Sequence, residues 1–142
     1  MDRRLIFLLN VAQRRVQRFV AAQSPSGRVT AAQGGLLFVL GRRDGVLIGE
    51  AGAALDLGMP GISGLVERAV EAGLIEKRSD PDDGRVWRLW LTAAGRRALV
   101  RAKAGAAELN ARLSEGFTDA EIDIVARWLV SVQNKFPKGE NE

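Results

Sequence analysis

Apolar residues recur every three or four positions near both ends of this 142-residue chain. Near the start the repeat covers residues 5–20, and three arginines occupy the other faces. This spacing predicts an amphipathic helix, which the turn-forming sequence at residues 23–27 ends. Toward the other end, Thr92 caps a predicted long helix that reaches about residue 114. A final helix toward residue 135 opens at Thr118 with capping-box spacing.

Between these ends the pattern predicts three further helices. Thr30 and Gln33 have capping-box spacing, and the helix that they open is expected to reach about residue 40. A short third helix is expected over residues 48–55. A turn at residues 56–58 then precedes a fourth helix, which starts near Pro60 and runs to about residue 72. The third and fourth helices form a helix-turn-helix outline.

The segment after the fourth helix has the pattern of a β-hairpin. Residues 74–78 form a short predicted strand, residues 79–84 are a turn cluster, and residues 86–91 alternate between two faces. Trp87 shares one face with the neighbouring leucines. Trp90 lies on the opposite face, where another element is expected to cover it; the alternative is an aromatic contact with a ligand or partner. The predicted fold class is therefore mainly α with a small β-hairpin wing, a winged helix-turn-helix.

Composition narrows the chemistry that the chain can perform. It contains neither cysteine nor histidine. This removes thiol nucleophiles, disulfides, redox-sensing thiols, the common zinc ligands and histidine-dependent catalysis. The carboxylates also lack the spacing of a calcium loop. We therefore expect a protein that is not an enzyme and that holds neither a metal nor a cofactor.

Charge and hydropathy indicate what kind of partner the chain binds and in which compartment it is expected. The formal net charge of +4 suits a surface that meets polyanions, although such an excess also serves solubility alone. The apolar start is interrupted by arginines and has no small-residue cleavage site, so neither a membrane span nor an export signal is predicted. A cytoplasmic location is expected.

Short motifs follow one another along the chain in a specific order and spacing. They are Thr30-Ala31-Ala32-Gln33, Leu65-Val66-Glu67-Arg68, Ala72-Gly73-Leu74-Ile75, Asp83-Gly84-Arg85 and Leu89-Trp90-Leu91-Thr92-Ala93-Ala94-Gly95. Together they resemble the MarR family of bacterial transcriptional regulators, and the resemblance extends over roughly residues 5–135. It implies a homodimer, a pseudo-palindromic site on double-stranded DNA, and often a small phenolic or lipophilic effector between the dimer region and the DNA-binding heads.

The implied organisation is a single domain over residues 1–142. Its parts are an N-terminal dimerisation helix and linker at 1–29, the winged helix-turn-helix at 30–92, C-terminal dimerisation helices at 93–136 and a flexible tail at 137–142. The hypothesis for function is a ligand-responsive repressor. The alternative is a winged-helix protein-interaction module with weak or no specific DNA binding, which a glycine-rich fourth helix carrying Glu67 and Glu71 would suit.

The fourth helix has a predicted buried face and a predicted DNA-facing stretch. The apolar residues at helical spacing are expected in the core; they are Ile62, Leu65, Val66 and Ala69. The resemblance places base contacts at Met59, Pro60, Gly61, Ser63 and Gly64, and Arg68 is a further predicted DNA contact. Because only Ser63 of the base-contacting stretch carries a hydrogen-bonding side chain, direct base readout is expected to be thin. Gly61 and Gly64 either allow close backbone approach to phosphate or merely loosen the helix.

The wing is the stronger candidate for DNA contact. Arg85 lies just past the predicted hairpin tip, where an arginine can enter a narrow and strongly negative minor groove. Asp83 is expected either to fix the tip by pairing with an arginine or to belong to a solvated turn. Arg78 and Arg88, together with Lys77, are further candidates for phosphate contacts.

The apolar faces of the terminal helices are predicted to pack against a second copy, with packing inside one chain as the competing interpretation. The predicted interface residues are Leu5, Leu8, Leu9, Ala12, Ile122, Val125, Trp128 and Leu129. Leu99, Leu109 and Leu113 of the long helix are expected to join the same burial.

Overall fold

The structure, a computed structural model, describes residues 3–23 and 29–137. It contains six helices and three strands in these ranges. They are α1 (Leu5–Gln23), α2 (Ala31–Arg42), β1 (Val46–Leu47), α3 (Ile48–Ala54), α4 (Met59–Glu71), β2 (Ile75–Ser79), β3 (Trp87–Leu91), α5 (Ala93–Ser114) and α6 (Asp119–Lys135). All six predicted helices and the predicted hairpin are present. Residues 24–27 of the predicted turn and residues 138–142 of the predicted tail lie outside the described residues.

Side-chain caps fix the starts of three helices, as their sequence spacing predicts. The Gln33 N–H donates to Thr30 Oγ1 at 3.2 Å, and the Thr30 N–H donates to Gln33 Oε1 at 3.0 Å, which completes the capping box of α2. Thr118 and Glu121 form the equivalent box at α6. At α5, the Gly95 N–H donates to Thr92 Oγ1 at 2.9 Å. These contacts satisfy donors that a helix start otherwise leaves free.

The sheet has three antiparallel strands in the order β1-β3-β2, so β3 is central. The hairpin pairs β2 with β3, and the short strand β1 pairs with β3 through Val46 and Leu89. The sequence analysis predicts only the hairpin, because two residues carry no readable alternation. Gly45 leads into β1 with φ +77°, and a Cβ there would lie 2.7 Å from the Trp90 ring. Trp90 is therefore covered by this turn, as expected.

The hydrophobic core lies between α2, α3, α4, the sheet and the first turns of α5. Its largest fully buried side chains are Leu36, Leu37, Leu40, Ile62, Leu65, Ile75, Leu89 and Val66. The predicted buried face of α4 is confirmed at all four positions. Leu99 is also part of this core. Its predicted place in a dimer interface is therefore wrong, because the first two turns of α5 pack against the winged helix of the same chain.

The chain separates into two compact units, one ending at Leu99 and one beginning at Val100. The boundary lies within α5, whereas the sequence analysis predicts one domain whose C-terminal part begins at residue 93. In the first unit, α1 has no buried residue; in the second unit, α6 has none. No helix in the described ranges is long and apolar enough to cross a membrane.

Candidate nucleic-acid interface

The turn between α3 and α4 fixes how α4 meets the core. The Leu57 N–H donates to the Gly52 carbonyl at 2.8 Å, and Asp56 adopts a positive φ of 54° in the turn. The buried side of α4 then packs inward through Ile62 and its neighbours. This packing leaves the first turn of α4 on the surface.

The exposed first turn of α4 holds most of the predicted base-contacting residues. Met59, Pro60 and Gly61 are exposed, while Ser63 and Gly64 are half-buried. The N-cap residue, Gly58, makes no side-chain capping bond. Backbone N–H groups at this positive helix end are therefore available to an anion such as a phosphate.

Charge is distributed unevenly along α4. Its first turn contains no acidic residue, and the acids Glu67 and Glu71 lie in its C-terminal half, close to Arg68 in sequence. Phosphates repel carboxylates, so the N-terminal end of α4 is the end that can approach a nucleic-acid backbone closely.

Asp80 organises the base of the wing. Its Oδ1 accepts the backbone N–H of Asp82 at 2.8 Å and that of Asp83 at 3.3 Å. Its Oδ2 accepts Arg88 Nε at 2.5 Å, and Arg88 Nη1 donates to the Gly45 carbonyl at 2.8 Å. The hydrogen bond from Arg88, followed by that from the Asp82 backbone, lowers the pKa of the Asp80 carboxyl. This network ties the turn of the wing to β3 and to the loop before β1.

The wing tip presents Arg85 to solvent. The Arg85 side chain is 91% exposed, and its Nε lies 3.2 Å from Asp83 Oδ1. The same carboxylate oxygen accepts the Arg85 backbone N–H at 3.1 Å. The predicted pairing of Asp83 with an arginine is therefore present, and it holds the base of an otherwise free cationic side chain.

The other predicted basic contacts of the wing have partners of their own. Arg78 pairs with Glu76 and lies 5.5 Å from the centre of the Trp90 ring. Lys77 Nζ lies 4.6 Å from the centre of the Trp87 ring. Arg88 is engaged by Asp80 and Gly45. Phosphate contacts by Arg78 and Arg88 stay predictions, and for Arg88 the structure shows a bracing role inside the wing.

Comparison with solved structures gives close matches over nearly the whole chain. A "probable transcriptional regulator from Pseudomonas aeruginosa" is 29% identical, with a TM-score of 0.83, over 92% of this chain and 98% of the other. The transcriptional repressor CouR, solved with a 23-mer DNA duplex, is 27% identical with a TM-score of 0.81, over 90% of this chain and 91% of its own.

A further similar fold is that of the PcaV transcriptional regulator from Streptomyces coelicolor, solved with its natural ligand. It is 24% identical with a TM-score of 0.85, over 94% of this chain and 96% of the other. Comparison with curated proteins gives no significant match. The family model described as the MarR family matches residues 29–86, which include α2 to α4, β2 and the wing tip. Over residues 29–86 the chain is therefore similar to the MarR family.

These matches confirm the resemblance and the fold class predicted from the sequence. The structures matched at 29% and 27% identity are described as transcriptional regulators, which agrees with the prediction that the chain is not an enzyme. Within the described residues, no cluster of three or more acidic side chains is arranged to hold a metal ion.

Two acidic residues that shape this candidate site are missing from the sequence predictions. Asp80 anchors the wing turn, and Asp44 Oδ1 accepts the Leu91 N–H at 2.9 Å, beside an ion pair with Arg96 at 3.3 Å. Asp44 reaches across 47 residues, a separation at which local spacing carries no signal. A signal for Asp80 does exist, because an aspartate at the start of a turn commonly accepts N–H groups two or three residues on.

Proposed function

We propose that the chain is a DNA-binding transcriptional regulator that acts in the cytoplasm as a homodimer on a pseudo-palindromic operator. The observation that carries this proposal is the wing tip. Arg85 combines a 91% exposed side chain with a backbone held by Asp83. A preorganised, solvent-facing guanidinium of this kind suits the narrow minor groove, where the negative potential is strongest.

Helix α4 supplies the second element of the proposed interface. Its N-terminal turn is exposed, uncapped by a side chain and free of acidic residues. An α-helix fits the major groove of B-DNA, and the wing then lies over the adjacent backbone. CouR, which shares this fold at 27% identity and was solved with a DNA duplex, supports the same use of the winged helix here.

The proposed homodimer rests on the terminal helices. The described residues of α1 and α6 include none that is buried, although both helices carry apolar faces. Exposed residues on these faces include Leu5, Leu8, Val125 and Leu129. If such faces were buried against a second copy, a two-fold axis would relate the two DNA-binding heads. A palindromic site has the same symmetry.

Repression with release by a small aromatic or lipophilic effector completes the proposal. PcaV, which shares the fold, was solved in complex with its natural ligand. An effector acts as a switch when it binds one spacing of the two heads more tightly than another. A spacing that no longer matches successive major grooves would release the operator.

Replacement of Arg85 by alanine tests the DNA interface. The operator is first obtained by selection from a random DNA pool, and affinity is then measured against salt concentration. We expect Arg85→Ala to weaken binding by about 1.5–3 kcal/mol per protomer, because a charge-assisted contact is lost. The salt slope should fall by roughly one unit per lost contact. Arg127→Ala, which removes an exposed arginine from α6, is the control and should change neither quantity.

Two results would count against this assignment. Unchanged affinity and salt slope in Arg85→Ala would show that the wing makes no DNA contact. Failure of the unaltered protein to bind random or selected DNA at low salt, together with a stable complex with another protein, would favour the protein-interaction module.

A further inference from the structure

The side chain of Arg68 lies back across Gly64, one turn nearer the start of α4. A Cβ built on Gly64 would lie 3.2 Å from Arg68 Nη1 and 4.0 Å from Arg68 Cζ. Side chains on a helix lean toward its N-terminus, so residue i covers residue i−4. The guanidinium therefore lies against the position that a side chain at residue 64 would take, and a Cβ there would displace it by a few tenths of an ångström.

Nothing else in the described part of the chain holds this guanidinium. Glu71, three residues later, is at the spacing of a common helical ion pair, yet Arg68 takes part in none of the ion pairs of the described residues. Gly61, Gly64 and Arg68 follow one another at spacings of three and four, which puts them in one row along the helix. The row offers a path without side chains toward the N-terminal end of α4.

In this arrangement the positive charge of Arg68 lies about one turn nearer the start of α4 than the backbone of Arg68 does. With a rise of 1.5 Å per residue, a shift of four residues carries the guanidinium about 6 Å toward the N-terminal end. It thereby lies farther from the C-terminal turn that carries Glu71 and nearer the first turn, which contains no acid. That end of α4 is the one that the proposed function places in the major groove.

We propose that Arg68, seated on Gly64, reads a guanine in the major groove, so that this pair supplies the base contact that the first turn of α4 lacks. The inference rests on the proposed function. An arginine donates two parallel hydrogen bonds to O6 and N7 of guanine. Met59, Pro60 and Gly61 have no such donors. Gly64 has a specific role in this arrangement, since a side chain at position 64 would crowd the guanidinium and shift it from this place.

The base contact is tested by measuring how each protein variant binds each DNA variant. Sites are selected from a random pool by the unaltered protein and by Arg68→Ala, Arg68→Lys and, as control, Arg127→Ala. We expect the unaltered protein and the control to enrich one guanine in each half-site, and both Arg68 variants to lose that preference. On the selected site Arg68→Ala should bind on the order of 5- to 100-fold more weakly per half-site, the range for one bidentate pair. On a site with that guanine replaced, the unaltered protein and Arg68→Ala should bind equally.

A double-mutant cycle of Gly64→Ala and Arg68→Ala tests the role of Gly64. Gly64→Ala raises helix propensity, so its thermal midpoint should not fall, and Gly105→Ala in α5, where a Cβ meets nothing within 4 Å, controls for that gain. Gly64→Ala should weaken guanine selection. Because it acts through Arg68, the double variant Gly64→Ala, Arg68→Ala should bind no more weakly than Arg68→Ala alone.

Several outcomes would overturn the inference. If Arg68→Ala weakens all sequences equally and Arg68→Lys restores binding, Arg68 contacts only phosphate. If the effects of Gly64→Ala and Arg68→Ala add, Gly64 acts by its own close approach to DNA. Base preferences that survive in Arg68→Ala refute the inference while leaving the proposed function intact. If the unaltered protein binds no DNA at low salt, both fail.

Discussion

At the scale of single residues, two neighbouring aspartates of the wing, Asp80 and Asp83, have different roles. Asp80 turns inward, with a side chain 10% exposed, and binds Arg88. Asp83 pairs with Arg85 at the tip. One aspartate thus shapes the turn, and the other orients the cation that we propose enters DNA. The distinction matters because loss of either changes a different property, stability for Asp80 and DNA affinity for Asp83.

The lowered pKa of Asp80 predicts a pH-dependent contribution to stability. A carboxyl whose pKa is lower in the folded state stabilises the fold above its unfolded pKa of about 3.9, and this stabilisation is lost as pH falls toward the folded value. Asp80→Asn should therefore have a lower thermal midpoint than the unaltered protein at pH 7. The two curves should begin to converge below about pH 4 and should meet only below the lowered pKa of Asp80. Tryptophan fluorescence followed during heating at a series of pH values measures this.

Asp82→Asn is the matched control in the same turn, because Asp82 contributes its backbone N–H to Asp80 and that group is retained. Its midpoint should follow that of the unaltered protein at every pH. Equal midpoints of Asp80→Asn and the unaltered protein at pH 7 would contradict the assigned role of Asp80.

The sequence predicts some of these residue roles and not others. The pair Asp83–Arg85 is predicted because its two members are neighbours on a turn. The pair Asp80–Arg88 spans eight residues and forms only once β2 and β3 are in register. Without that register, Arg88 resembles any exposed strand arginine, and it is therefore predicted as a phosphate contact.

At the scale of elements, helix boundaries follow from local chemistry, whereas the packing of α5 against the sheet does not. The capping residues Thr30, Thr92 and Thr118 mark helix starts in the sequence and in the structure. The short strand β1 exists only through its pairing with β3. Similarly, the close approach of α5 to the carbonyl of Leu74 depends on where two distant segments meet.

That close approach predicts a strong position dependence for glycine replacements in α5. A Cβ on Gly95 would lie 1.9 Å from the Leu74 carbonyl oxygen, which is backbone and cannot rotate away. Gly95→Ala should therefore destabilise the protein by about 1–3 kcal/mol or more, as overpacking does. Gly105→Ala, in open space on the same helix, should instead stabilise it by about 1 kcal/mol. Urea unfolding of both variants provides the measurement, and a stable Gly95→Ala variant would refute the predicted clash.

At the scale of the whole molecule, the winged helix has a buried hydrophobic core within one chain, whereas the terminal helices α1 and α6 contain no buried residue. Among residues 3–23 and 29–137, every buried hydrophobic residue lies between Leu36 and Leu99. The described parts of α1 and α6 leave their apolar faces at the surface. The periodicity of both helices is evident in the sequence, but periodicity alone does not say whether the partner is the same chain or a second copy. For Leu99 the partner is the same chain, and for the faces of α1 and α6 we propose a second copy.

Replacement of Leu129 by glutamate tests the proposed dimer. Leu129 lies on the apolar face of α6 and is 39% exposed in a single chain. We expect the unaltered protein to sediment at twice its chain mass of 15.4 kDa. In Leu129→Glu each interface would lose two leucines, each contributing about 1 kcal/mol because only part of the side chain remains to be buried, and would gain two charges whose desolvation costs more. Dissociation should then be favoured by roughly 100-fold or more, and sedimentation equilibrium at micromolar concentration should show a monomer.

Val70→Glu introduces the same charge at an exposed apolar residue of α4, which is 40% exposed, and should leave the mass unchanged. Because two linked heads bind two half-sites, the Leu129→Glu monomer should also lose most of its affinity for a full palindromic site while retaining that for a single half-site. A variant that stays dimeric would place the interface elsewhere. A monomer that still binds the full site as tightly as the dimer would show instead that the two heads act independently.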